Sequence, residues 1–155
     1  MVFGSVRAAP GLPKPIFAGK REFPLNAREK KAASPERPAT ILVVEDDRAV
    51  RLLFTRVLQS AGYEVLACED GLAGLETGRA HLERLDAIVT DARMPGLSGQ
   101  KLIARLRQAK PQLPAIVVSG NVIEGVSDAN TVFLCKPVTP GSLTRELRRL
   151  LCDRM

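Results

Sequence analysis

The chain has no tryptophan, one tyrosine (Tyr63), one histidine (His81) and three cysteines in 155 residues. His81 stands among polar residues without a partner for metal ligation or base catalysis, so it reads as a surface residue. Cys68, Cys135 and Cys152 are widely spaced, odd in number and form no CxxC pair, which argues against a zinc site or a redox dithiol. Reduced thiols in a cytosolic protein are the simplest reading. No apolar run approaches the roughly 20 residues of a membrane span. The N-terminus carries basic residues but lacks the apolar centre of a signal peptide. The expectation is a cytoplasmic protein with no membrane partner.

The net charge of +6 is unevenly placed. Residues 1 to 40 carry eight Lys or Arg against three Glu, an excess of +5, and the remaining residues are nearly balanced. Residues 1 to 38 are rich in Pro, Ala, Gly, Lys and Arg and show neither helical nor alternating periodicity. They read as a basic, Pro-rich flexible extension, with a basic arm for nucleic acid or an acidic partner as the alternative. Residues 39 to 155 read as the folded domain.

From Thr40 the texture changes. Ile41-Leu42-Val43-Val44 is a β-branched run of the kind buried on both faces of a parallel sheet. It ends in Glu45-Asp46-Asp47, of which Asp47 suits a helix cap. Ala49, Val50, Leu53, Phe54, Val57, Leu58 and Ala61 then repeat at helical spacing, and Gly62 stops the helix. Residues 64 to 68 form a second strand. Asp70 caps a helix carrying Leu72, Leu75 and Ala80. Ala87-Ile88-Val89 is a third strand, closed by Asp91 and the loop residues Met94-Pro95-Gly96. Ser98 or a neighbour caps a third helix with Leu102, Ile103 and Leu106, ended by Pro111 and Pro114. Residues 114 to 118 and 131 to 135 supply two more strands. Thr139-Pro140 opens a last helix with Pro at its first position and Leu143, Leu147, Leu150 and Leu151 as its buried stripe.

Alternating strands and helices predict an α/β fold, a doubly wound, flavodoxin-like five-stranded parallel sheet of order 2-1-3-4-5. Sites in such sheets lie at the carboxyl ends of the strands, beside the point where strand order reverses. That point gathers Glu45, Asp46 and Asp91. Two like charges about 4 Å apart repel by roughly 4 kcal/mol at an effective dielectric near 20. A hard divalent cation offsets this, and Mg²⁺ suits an open all-oxygen site. The last two strands bring Lys136 and the Ser119 hydroxyl to the same rim. Carboxylates, an ammonium and a hydroxyl on adjacent strand ends permit phosphoryl transfer, with Asp91 as nucleophile.

ILVVEDD at 41 to 47, TDARMPGLSG at 90 to 99, VVSG at 117 to 120 and FLCKPV at 133 to 138 occur in the order and spacing of one family. From about Thr40 to the end the chain resembles the receiver domain of two-component response regulators. The resemblance implies Asp91 as phosphoacceptor. It implies Glu45, Asp46 and Asp91 as metal ligands, joined by the backbone carbonyl of Arg93. Ser119 would be the switch hydroxyl, Lys136 the paired lysine, and Phe133 either the switch aromatic or plain core. A cis peptide is implied before Pro137. Arg93 and Asn121 would flank the path of water to the acyl phosphate. Gly120 to Asn130 is a short connection, so the fourth helix is expected to be shortened or missing.

The implied function is a phosphorelay receiver that takes a phosphoryl group from a histidine kinase or histidine phosphotransfer protein and signals by binding a downstream protein. It uses its donor once per cycle and so is not a conventional enzyme. Nucleic acid is expected as a partner only through the extension. With no output domain after the last helix, the chain resembles a stand-alone receiver or one from a hybrid sensor kinase. Two rivals share the fold or the nucleophile. One is a phosphorylation-independent binding module. The other is an aspartate-nucleophile phosphatase, which Arg93 argues against, since such enzymes carry a second Asp at that position.

Overall fold

The computed structural model describes residues 37–121 and 128–153. The elements run β1 (Thr40–Val44), α1 (Arg48–Ser60), β2 (Glu64–Cys68), α2 (Gly71–Ala80), β3 (Leu85–Asp91), α3 (Gly99–Arg107), β4 (Ala115–Ser119), β5 (Thr131–Cys135) and α4 (Pro140–Cys152). The five strands form one sheet in the order β2-β1-β3-β4-β5, and every pairing is parallel. This is the expected topology. β1 lies between β2 and β3, and its five residues are buried. The pleat sends Ile41 and Val43 to one face, packed with Phe54 and Leu58 of α1 and Leu143, Leu147 and Leu150 of α4. Leu42 and Val44 face the other way, toward Leu75 of α2 and Leu102, Ile103 and Leu106 of α3. A β-branched run with both faces covered gives these strands their unbroken apolar texture.

Side-chain caps fix where the helices begin. Asp47 accepts from the N–H groups of Ala49 and Val50 at 2.8 and 3.2 Å, and Asp70 accepts from that of Ala73 at 2.7 Å. Ser98 caps α3, and Thr139 caps α4 with Pro140 in its first turn. Gly62, at φ +97°, takes the left-handed turn that ends α1.

Three expectations need correction. Leu72 and Ala80 do not face the core: Leu72 is 61% exposed, and α2 buries Gly71, Gly74, Leu75 and Gly78 instead. The glycines let the α2 backbone approach its neighbours. A Cβ on Gly74 would lie 2.7 Å from Val44, and one on Gly78 would lie 2.8 Å from Leu106. Ala49 and Leu53 belong to the outer face of α1, with Leu53 47% exposed. α3 ends at Arg107, before either proline. There the Arg107 guanidinium crosses to the carbonyls of Leu113 and Asn130, at 2.9 and 3.0 Å. The stretch expected to hold a shortened or missing fourth helix, Gly120 to Asn130, lies largely outside the described residues, since 122–127 are not among them. Residues 1–36 likewise lie outside. Arg37, the first described residue, bonds Asp86 through its guanidinium at 3.0 Å.

Candidate functional site

β1 and β3 are neighbours, so the residues that follow or end them meet at one edge of the sheet. Ligand oxygens of Glu45, Asp46 and Asp91 all lie within 4.8 Å of one another. β5 ends beside β4, and Lys136, just past β5, reaches over the acids. Its Nζ lies 3.5 Å from Asp91 Oδ1 and 3.9 Å from Glu45 Oε2. The Lys136 backbone N–H donates to the Ser119 carbonyl at 2.8 Å, extending the β4–β5 ladder to the site. The Lys136–Pro137 peptide is cis.

Burial sets the electrostatics. Glu45 is 1% exposed. Burial pushes its carboxyl from 4.5 up to about 7, against the pull of the Asp47 N–H, and the Asp91 charge adds to the rise. Glu45 Oε1 accepts from the Asp47 N–H at 3.2 Å, whereas Oε2 is buried with no hydrogen-bond partner. A buried carboxylate oxygen without a donor is costly, and a cation between the three acids would satisfy it. Asp91 is also raised by burial, with Lys136 and the Arg93 N–H pulling it back. The residues present fit a hard divalent cation: the cluster offers oxygen ligands only, and one of those oxygens lacks a partner.

Ser119 is buried one position past the residue paired with Asp91, and its Oγ accepts from the Asn121 N–H at 3.2 Å. Phe133 is half-buried and packs on the α2–α3 side of the sheet. Arg93 is exposed on the loop after β3. Asp47 caps α1, as its position suggested. His81 is not bare surface: it is half-buried at the end of α2, with Nδ1 3.0 Å from the Thr77 carbonyl.

Two features at the site had escaped the sequence reading. Arg51 Nη1 donates to the Glu45 carbonyl at 2.7 Å. Gly99 presses on the phosphoacceptor candidate, since a Cβ there would lie 2.2 Å from the Asp91 carbonyl oxygen. An arginine on the half-buried face of a helix's first turn, and a glycine directly after a capping serine, are the signals that could have found them.

Comparison with known proteins agrees with this geometry. The chain is 35% identical over 138 residues to the sensor kinase CckA of Brucella abortus, a match covering 84% of this chain and 15% of that protein. The chain spans from 15% to about half (51%) of the length of such curated relatives. Among solved structures, the receiver domain of the hybrid histidine kinase CckA is 31% identical with a TM-score of 0.65, covering 72% of this chain and 98% of that one. The response regulator TrrA of Thermotoga maritima, in complex with Mg(2+)-BeF, is 25% identical with a TM-score of 0.65, covering 72% and 97%. The family model of the response regulator receiver domain matches residues 41–148, a span that takes in the three acids, Ser119 and Lys136, and the chain belongs to that family.

Proposed function

We propose that this chain is the phosphoacceptor of a two-component phosphorelay. Asp91 takes a phosphoryl group from a phosphohistidine on a histidine kinase or histidine phosphotransfer protein, and the phosphorylated domain signals through a downstream protein. The observation that carries this reading is the convergence of Lys136 on Asp91 beside two further acids, one with a buried unpartnered oxygen. The Mg(2+)-BeF complex of TrrA supports it.

Glu45, Asp46 and Asp91 would hold Mg²⁺, with the Arg93 carbonyl as a further ligand. The bound ion supplies positive charge to the oxygens of the transferred group. The chain's own groups do the rest. An Asp91 carboxylate oxygen attacks phosphorus; the O–P bond forms as the P–N bond breaks, and its electron pair leaves with the imidazole. Lys136, already paired to Asp91, offers its ammonium to the phosphoryl oxygens. Ser119 accepts through Oγ, which leaves its O–H proton to donate to the same group. Movement of Ser119 toward the phosphoryl group would be passed to Phe133. The domain's output is binding, without turnover of substrate, in the cytoplasm.

Incubation with acetyl phosphate and Mg²⁺ tests this. Wild-type chain gains one base-labile phosphoryl group, and Asp91→Asn gains none while keeping its circular dichroism spectrum. Undiminished labelling of Asp91→Asn refutes the assignment. Absence of any labelling of the wild type, from acetyl phosphate or a panel of phosphohistidine donors, favours the phosphorylation-independent module.

A further inference from the structure

Glu45 and Asp46 occupy the turn between β1 and α1, so the backbone of that turn aims their carboxylates. Its entry is fixed by the sheet, where the Glu45 N–H donates to the Cys68 carbonyl at 3.1 Å. Its exit is held by two side chains: Glu45 Oε1 accepts from the Asp47 N–H at 3.2 Å, and Arg51 holds the Glu45 carbonyl. The Glu45 carbonyl lies in the peptide plane that leads into Asp46, and it accepts from Arg51 Nη1 at 2.7 Å. A bond this short from a charged donor is among the stronger a carbonyl can accept. The helix delivers the guanidinium: the Arg51 N–H donates to the Asp47 carbonyl at 2.9 Å, and Asp47 in turn caps α1. Among the described residues, the ion pairs at this site are those of Lys136 with Glu45 and Asp91, and Arg51 takes part in none. Its bond goes to the backbone beneath the acids and leaves their oxygens to a cation.

We propose that Arg51 is a positioning residue of the cation site, setting the peptide plane from which Glu45 and Asp46 present their carboxylates. The inference rests on the reading of the three acids as a Mg²⁺ site. It carries a sign that separates it from the alternative. As a mere neighbouring cation, Arg51 repels Mg²⁺, and its removal would tighten binding. As a positioning residue its removal weakens binding, as loss of groups that orient metal ligands does.

The test is calorimetric titration of Mg²⁺ into the full chain, alongside thermal melts in chelator. The variants are Arg51→Ala, Arg51→Met and Arg51→Lys, with Leu150→Val in the remote core as a control for general destabilisation. Arg51→Ala and Arg51→Met are expected to weaken Mg²⁺ by about tenfold, Arg51→Lys to recover part of the loss, and Leu150→Val to bind as the wild type. Where Arg51→Ala is too unstable to titrate, Arg51→Met decides, because it keeps the aliphatic stem and removes only donor and charge. Unchanged or tighter binding in the Ala or Met variant overturns the inference. So does an equal loss in Leu150→Val, which would mark the effect as general loosening. A wild-type chain that binds no Mg²⁺ overturns the cation reading of the site and this inference with it. Wild-type binding matched by the Arg51 variants overturns this inference alone.

Discussion

Lys136 sits with its ammonium 3.5 Å from Asp91 and its backbone N–H bonded to the carbonyl of Ser119, so one residue ties the nucleophile to the tip of the adjacent strand. Lys136→Met keeps the backbone bond and removes the charge. The Asp91 carboxyl, already raised by burial, should rise further, because Lys136 is the strongest influence pulling it down. Phosphoryl incorporation from acetyl phosphate should fall by about 100-fold. Carbon-detected NMR titration of Asp91 and the labelling rate measure the two effects, and labelling at the wild-type rate would contradict the role given to Lys136.

In chelator, stability should fall as pH rises from about 4.5 to 7. The unfolded chain ionises Glu45 near 4.5, whereas the folded protein keeps it protonated up to about 7. Within that window the folded state binds more proton, so stability is greatest below the window and is lost through it. At 1.36 kcal/mol per pKa unit the loss attributable to Glu45 is about 3 kcal/mol at most. Asp91, also raised, acts in the same direction. Glu45→Gln should flatten this part of the profile. Melts from pH 4 to 8 decide it, and a Gln variant with the wild-type slope would remove Glu45 as the cause.

Gly99→Ala should destabilise the domain by about 1–3 kcal/mol and reduce phosphorylation, because its methyl would enter the space of the Asp91 carbonyl. Gly141→Ala, in the first turn of α4, meets nothing within 4 Å. It should be neutral or stabilising by up to about 1 kcal/mol. Denaturant melts of the pair check this, and equal effects would mean that the close approach at Gly99 is not limiting.

The composition of residues 1 to 38 predicts that limited proteolysis trims the chain to a stable core beginning near Pro38, with trypsin's own last cut falling after Lys31 because Pro38 blocks the bond at Arg37. Mass spectrometry of the digest gives the boundary. Lasting protection of Lys20, Arg21 and Lys30 in the isolated chain would show that the extension is part of the folded body.

Much of this molecule is legible in its sequence because the residues that matter there act by type. The runs at 41–44, 87–89 and 115–118 are apolar throughout because both their faces are covered. Asp47, Asp70, Ser98 and Thr139 announce helix starts because a short oxygen is what an N-terminus needs. Asp91 and Lys136 are visible as charges at strand ends. What escaped acts by absence or through the backbone. The buried face of α2 is made of Gly71, Gly74 and Gly78, which have no hydrophobic signal, and periodicity therefore chose Leu72. Arg51 bonds a carbonyl, and a carbonyl carries no mark in the sequence. α3 ends where the Arg107 side chain finds acceptors on a distant segment, which no local pattern encodes.

The central place of β1 has a kinetic consequence. Its amides are paired with strands on both sides and its side chains are wholly buried, so their exchange with solvent deuterium should require global unfolding. Among the described residues β5 pairs with β4 alone, and it is mostly half-exposed, so its amides should exchange through local opening orders of magnitude sooner. Glu45 and Asp46 directly follow the slow strand, while Lys136 follows the fast one. The strand that leads into the acids should therefore open far more rarely than the edge strand that leads into the lysine.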